Sequence, residues 1–281
     1  MSAIASGIAI EPTRTLYRHA LIGTPGYSAP QLADARWFSF AEIAAGAVDN
    51  LALQSDAWDE NNIVVLEAGA VLTRPLRIHT KPRTRGAIVV LGRDLTLCGD
   101  LRLMGTDQTV VLTGGIAEVG HSGQMSAQIW GSGAALFVGA KSTTNGATFV
   151  LSGDQRHIFI GDDAMFANGI HISTHDEHAV MDIASRQRVN LPGSVLVEPH
   201  VWLGRNTTVG KNVSIGLGSV VGAHSLVTRS CPRFSVIGGA PAKLIRTGST
   251  WDRYASGRPE TVDRVLALSE TVAAPPPDFF D

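Results

Sequence analysis

From Val197 onward the chain carries an apolar residue at every sixth position: Val197, Leu203, Val209, Ile215, Val221 and Val227. Gly204, Gly210, Gly216 and Gly222 each follow one of them. The same step runs through Ile160, Phe166 and Ile172, with Gly161 after the first, and more loosely through Leu66, Leu72 and Ile78 and through Leu91, Leu97 and Leu103. A period of six fits neither the 3.6-residue period of an amphipathic helix nor the two-residue alternation of ordinary hairpins. It predicts a coil of short strands. Each hexad supplies one strand and one corner, with the aliphatic side chain pointing to the axis. The glycine after it lets the backbone turn through φ values that a Cβ resists. Three hexads close a triangular coil, and each coil buries its ladder only against its neighbours. The expected fold class is therefore an all-β solenoid over residues 61–247.

Both flanks change character. Residues 1–60 carry Trp37, Phe38, Phe40 and Trp58 around AEIAAGAVDNLALQ, which predicts an N-terminal helical cap with Ala41, Ala44, Ala45, Val48 and Leu51 on one side. In residues 248–281, Pro259 opens a predicted C-terminal helix in which Val262, Val265, Leu266 and Val272 line one face and pack outside the coils. Inside the solenoid one interruption stands out. The hexad register is lost over 173–196, a stretch that holds His175, Asp176, His178 and Asp182. A loop that leaves a rigid prism is where chemistry is commonly placed.

Composition narrows the function. Of 281 residues 44% are hydrophobic and 17% charged, so the chain has the apolar material of a folded core. Lys and Arg number 23 against 25 Asp and Glu, and the net charge of -2 gives no basic field to draw nucleic acid. Cys98 and Cys231 stand far apart with no CxxC, which argues against a disulfide scaffold or a thiolate zinc site and fits a cytoplasmic setting. No apolar run approaches the roughly 18 residues of a membrane span, and MSAIASGIAI lacks a basic leader region. Neither membrane insertion nor secretion is expected.

The stretches IGDDAMFANGIHISTHDEHAVMD, EPHVWLGRNTTVGKNVSIGLGSVVGAHSLVTRSCP and GGAPAKLIR resemble the hexapeptide-repeat acetyltransferases, especially the branch that O-acetylates bacterial capsule and lipopolysaccharide sugars. The usual forms there read roughly IGDDCMFS, TSDSHSI, HVWIG, GSVVTKSIP and GNPAKVIR. The resemblance covers about 90 residues with its motifs in order. It implies a left-handed parallel β-helix, acetyl-CoA as co-substrate without a metal, a sugar or glycan acceptor, and a homotrimer with sites between subunits.

Acetyl transfer to a hydroxyl needs a base, and imidazole suits that task near neutral pH. The resemblance places the catalytic histidine on His178 in THDEHAVMD, where Ala179 and Val180 replace the usual Ser and Ile. His175 falls where Ser is common. Asp176 and Asp182 are candidates to orient the imidazole, with loop capping as their other reading. Trp202 in VWLG falls beside the family's active site, as indole donor or wall, and His200 reads as an exposed corner. The cofactor positions carry over to Arg205, Ala223, Thr228, Arg229, Lys243 and Arg246. Arg205 replaces a small residue and Arg229 a Lys, and both place positive charge toward an anionic nucleotide. Gly238 and Gly239 make the turn before Lys243.

Other readings stay in view. A non-enzymatic β-helix would need neither the histidine loop nor the PAKLIR segment. A zinc hydrase on this fold would need three converging histidines, which His121, His157, His171, His175, His178, His200 and His224 do not space correctly. Among transferases, N-acetylation of a nucleotide-linked amino sugar and acetylation of a small molecule of xenobiotic or serine type are the rivals.

Overall fold

A computed structural model describes residues 21–55, 59–115, 117–118 and 124–280. Trp58, His121 and the first twenty residues lie outside the described residues. The rest forms a parallel β-solenoid with three faces. The first runs from Arg36–Ser39 through Ile63–Leu66, Ile88–Leu91, Thr109–Leu112, Ala135–Val138, His157–Ile160 and Val195–Val197 to Val213–Ile215. The second runs from Leu51–Gln54 to Leu226–Val227, and the third from Ala117–Glu118 to the closing strand Lys243–Arg246. Neighbouring strands are parallel except at the two ends, where Arg36–Ser39 and Lys243–Arg246 pair antiparallel.

In the C-terminal coils the hexads close as expected. Val197 pairs with Ile215, Leu203 with Val221 and Val209 with Val227, eighteen residues apart in each case. All six ladder residues from Val197 to Val227 are fully buried. Earlier coils are longer, with Ile63 opposite Ile88 and Ile88 opposite Thr109, because their corners carry extra residues. That explains the looser period there.

The glycines do a different job from the one expected. Gly204, Gly210, Gly216 and Gly222 have no positive φ. A Cβ on Gly204 would stand 2.7 Å from the amide nitrogen of Ala223 in the next coil, and one on Gly216 would collide with the amide of Arg233. Close stacking of coils, not turning, requires glycine at these two positions. The left-handed turns fall two residues later, on His200, Asn206, Asn212, Gly218 and His224, again in steps of six. Asn is a residue whose short polar side chain tolerates that conformation.

The first face is buried on both sides. Its strands read IVVL, IVVL, TVVL and ALFV, the continuous apolar run of a doubly covered strand. Inward residues fill the axis. Outward ones (Val65, Val90, Phe137, Phe159 and Leu196) form a second cluster with Leu21, Tyr27, Val265, Val272 and Phe279. Phe159 takes Phe137 in a stack at 5.4 Å and Phe279 edge-on at 5.6 Å. The tail does pack outside the coils, through helix α2 (Pro259–Thr271). Of the expected stripe Val265 and Val272 are buried, whereas Val262 and Leu266 are exposed and Thr261 takes their place against the coils.

At the other end the expected long helix is only α1 (Phe40–Ala44), closed by a capping box between Ser39 and Glu42. It ends before Gly46, whose φ of 82° is left-handed. Its buried residues are Phe40 and Ile43, while Ala41, Ala44 and Ala45 are exposed. Leu51–Gln54 is a strand that joins the second face by pairing with Leu76–Thr80. Residues 36–39 and 51–54 are thus hydrogen-bonded into the solenoid. No helix among the described residues is long and apolar enough to cross a membrane.

Candidate functional site

The strand Ile170–Ser173 ends the second face, and the next strand, Val195–Val197, begins the first face of the following coil. The 21 residues between leave the solenoid at that corner. Asn190 ties the excursion together. Its amide nitrogen donates to the His178 carbonyl at 2.8 Å and to Asp176 at 3.0 Å, and its oxygen accepts from the Val180 amide at 2.7 Å. Asp176 also forms an ion pair with Lys211, which pulls its carboxyl below the usual range. The loop is therefore anchored to the coil beyond it.

His178 is exposed, and its ring makes no hydrogen bond or ion pair among the described residues. Its backbone is fixed, with the amide donating to the Asp176 carbonyl at 2.7 Å. Glu177, with φ of 60°, turns the chain just before it. A base needs this combination, a held main chain and ring nitrogens left for a substrate. His175 is differently placed. Its Nδ1 accepts from the Glu177 amide at 2.8 Å, which leaves the proton on Nε2. Burial pushes its pKa down, as it does for His171.

Asp176 contacts Lys211 and Asn190 and not the His178 ring. Asp182 accepts from the Ser185 amide and hydroxyl, both at 2.7 Å, as a turn cap. Both positions therefore shape the loop in this chain.

His200 is no exposed corner. It is 1% exposed, its Nδ1 lies 2.7 Å from Asp163 and its Nε2 3.0 Å from the Trp251 carbonyl. The Trp251 indole lies flat on the ring at 4.2 Å and donates from Nε1 to the His200 carbonyl. Asp163 also receives Arg253 and Arg264. Burial pushes its carboxyl up, but hydrogen bonds and charges from His200 and Arg253 outweigh that and bring it down to about 2. Trp202, 37% exposed on the third face, leans on Trp251 at 6.3 Å. The motif HVW thus carries a buried histidine that positions an exposed tryptophan. Trp251 and Asp163 gave no signal of this in the sequence.

Arg205 and Ala223 are exposed at the same corner of successive coils, joined by the bond from the His224 amide to the Arg205 carbonyl at 2.7 Å. Thr228 and Arg229 follow the last strand of the second face, and Lys243 and Arg246 lie on the closing strand, opposite Gly238 and Val236. The left-handed turn before that strand is Gly239, at φ of 100°. Arg205, Arg229, Lys243 and Arg246 have no carboxylate partner among the described residues. Uncompensated cations of this kind fit a phosphate-bearing ligand. No group of three or more His, Cys, Asp or Glu suited to a metal occurs among the described residues. Within one chain Trp202, Arg205, Lys243 and Arg246 lie around the third face and its corner, whereas His178 projects from the corner between the second and first faces, where Arg229 stands two rungs further on.

No protein-family model matches the chain. It is 36% identical over 121 residues to a polysialic acid O-acetyltransferase of Escherichia coli O1:K1, covering 43% of this chain and 39% of that protein. It is 35% identical over 97 residues to the putative lipopolysaccharide biosynthesis O-acetyl transferase WbbJ of Escherichia coli K12, covering 32% of this chain and 50% of that protein. The chain therefore spans half or less of these relatives. Among solved structures, the polysialic-acid-specific acetyltransferase NeuO superposes with a TM-score of 0.59 at 23% identity, covering 80% of this chain and 100% of that one. The polysialic acid O-acetyltransferase OatWY gives 0.62 at 24%, covering 79% and 99%. The fold is thus the left-handed parallel β-helix of the hexapeptide-repeat acetyltransferases, and the chain resembles them in sequence as well.

Proposed function

We propose that the protein is an acetyl-CoA-dependent O-acetyltransferase that acetylates a hydroxyl of a bacterial surface-polysaccharide sugar or its precursor in the cytoplasm. The observation that carries this reading is His178, held by its backbone on an anchored loop with both ring nitrogens uncommitted. The relatives named O-acetyltransferases at about one third identity support the reaction class. In this reading His178 takes the proton of the sugar hydroxyl as its oxygen attacks the thioester carbonyl. The C–S bond then breaks, the thiolate leaves, and the imidazolium returns the proton to sulfur. Arg205, Ala223, Thr228, Arg229, Lys243 and Arg246 line the way to the CoA nucleotide, and Trp202 walls the acetyl group. Asp176 acts through Lys211 and Asn190 by holding the loop.

The separation of His178 from Trp202, Arg205, Lys243 and Arg246 on one chain supports a homotrimer in which each site is shared. Replacing His178 with Ala should lower turnover by about 10² to 10⁴ while CoA affinity stays unchanged. His175→Ala should be milder. Acetyl release from product by mild alkali identifies an ester, whereas a stable amide would assign the chemistry to N-acetylation. A His178→Ala protein with wild-type turnover would falsify the base assignment.

A further inference from the structure

Rung by rung, the outward side chains of the second face form two columns. One runs His79, Arg102, Gln128, Val150 and Ser173. The other passes through Asp100, Ser126, Thr148 and His171. Both end at the base of the His178 loop. At their far end lies a cavity of about 500 Å3, lined in part by Gln54, His79, Lys81, Arg102 and Met104. Lys81 and Arg102 are exposed, and their side-chain cations have no hydrogen bond or ion pair among the described residues. Asp100 is the nearby acid on this face, and it is already taken by Arg77 in a two-pronged contact at 2.9 and 3.0 Å and by His79 at 2.6 Å. Two cations are thus left uncompensated at the cavity. Trp130, 45% exposed, stands at the corner one rung from Met104, whose amide donates to the Ile129 carbonyl. Between cavity and loop the half-buried outward groups Gln128, Ser126 and Thr148 are uncharged hydrogen-bonding ones.

We infer that this face is a track for a polymeric acidic glycan, with a distal anion subsite at Lys81 and Arg102. The carboxylate of one sugar meets the two cations, Trp130 offers its ring to an adjacent sugar's apolar C–H face, and Gln128, Ser126 and Thr148 meet hydroxyls along the way. Three rungs from Arg102 and four from the rung that leads to Lys81, at about 4.8 Å each, put the subsite roughly 14 to 19 Å from Ser173, farther than one sugar reaches. The acceptor is then an acidic oligomer or polymer, acetylated at one unit while gripped at another. This inference rests on the transferase reading, and binding can be read apart from transfer.

The probes are oligosialic acids and oligogalacturonic acids of one to eight units, with a neutral eight-unit dextran oligomer as control, titrated by calorimetry into wild type, Lys81→Ala/Arg102→Ala and His178→Ala. At least one acidic series should tighten with length up to the span of the track, and should weaken steeply as salt rises. The double variant should lose tenfold or more in affinity for the long acidic oligomer, with its melting temperature unchanged because both side chains are exposed. His178→Ala should bind like wild type. If no acidic oligomer outbinds the neutral one, or if the double variant keeps wild-type affinity, the track is wrong even where acetyl transfer is intact. A protein that binds the long acidic oligomers through Lys81 and Arg102 but transfers no acetyl overturns the transferase reading and leaves the track standing.

Discussion

At the scale of single residues, His178 is held by its own loop, whereas His200 is held by partners far along the chain. His178 could be singled out from THDEHAVMD, and it stands uncommitted on its loop. His200, two residues from Trp202, read as a corner residue and is one by backbone, at φ of 55°. Its burial depends on Trp251, 51 residues on, and on Asp163, 37 residues back, and no local pattern announces either. Asp163 gathers His200, Arg253 and Arg264 in one place. Removing its charge should therefore cost about 3 kcal/mol, since the buried His200 loses its partner. The sign with pH follows. A carboxyl lowered to about 2 in the folded chain, against about 3.9 unfolded, contributes stability that is full above about pH 4 to 5 and lost as pH falls toward 2. Urea denaturation of wild type and Asp163→Asn should show a gap of that size at pH 7 that closes through this window. A pH-independent gap would mean that the carboxylate's charge is not what stabilises the cluster. Trp202 should also report the change by altered fluorescence, because its neighbour Trp251 rests on His200.

At the scale of elements, the six-residue ladder was visible because inward packing repeats with the coil, and Val197 to Val227 fill the axis as the spacing required. The corners were misread because glycine serves two purposes. It permits left-handed φ, and it permits another backbone to come close. Here the second applies, and the left-handed φ is carried at Asn206, Asn212 and His224 by residues with side chains. The distinction can be measured. A Cβ at Gly204 would stand 2.7 Å from the Ala223 amide nitrogen, while one at Gly210 would meet the Val227 carbonyl at 3.6 Å, an ordinary contact. Gly204→Ala should destabilise by about 2 kcal/mol or more through forced coil separation. Gly210→Ala should be neutral, or stabilise by about 0.5 kcal/mol through a less flexible unfolded chain. Equal losses in thermal melts would show that conformational freedom, and not close approach, sets glycine at both sites. The helices were misjudged for a related reason. The alanine-rich run after Phe40 has helix propensity, but a Gly at 46 and pairing of Leu51–Gln54 with Leu76–Thr80 override it. In α2 the coil surface selects Thr261 and Val265 over the more hydrophobic Val262 and Leu266.

At the scale of the whole molecule, one chain distributes the proposed machinery over different corners of a triangular prism, and a prism is rigid. No hinge within the stacked coils can carry the loop that leaves after Ser173 round to Lys243 and Arg246 on the closing strand. If these groups act on one pair of substrates, the reacting site lies between chains, and closed three-fold symmetry supplies three equal sites. Complementation tests this directly. His178→Ala keeps the cationic side and Lys243→Glu/Arg246→Glu keeps the base, so each homotrimer should lack one half at every interface. Subunits mixed equally and allowed to exchange should regain about one quarter of wild-type activity at limiting acetyl-CoA, since each interface needs one chain of each kind in one order. A site within a single chain would leave the mixture as inactive as its parents, because no chain then holds both halves. Light scattering on the same samples must show the trimer mass, and a tagged pair must show that exchange occurred. With both controls met, an inactive mixture rejects the shared site, and activity near one quarter assigns His178 and the cations of each site to different subunits.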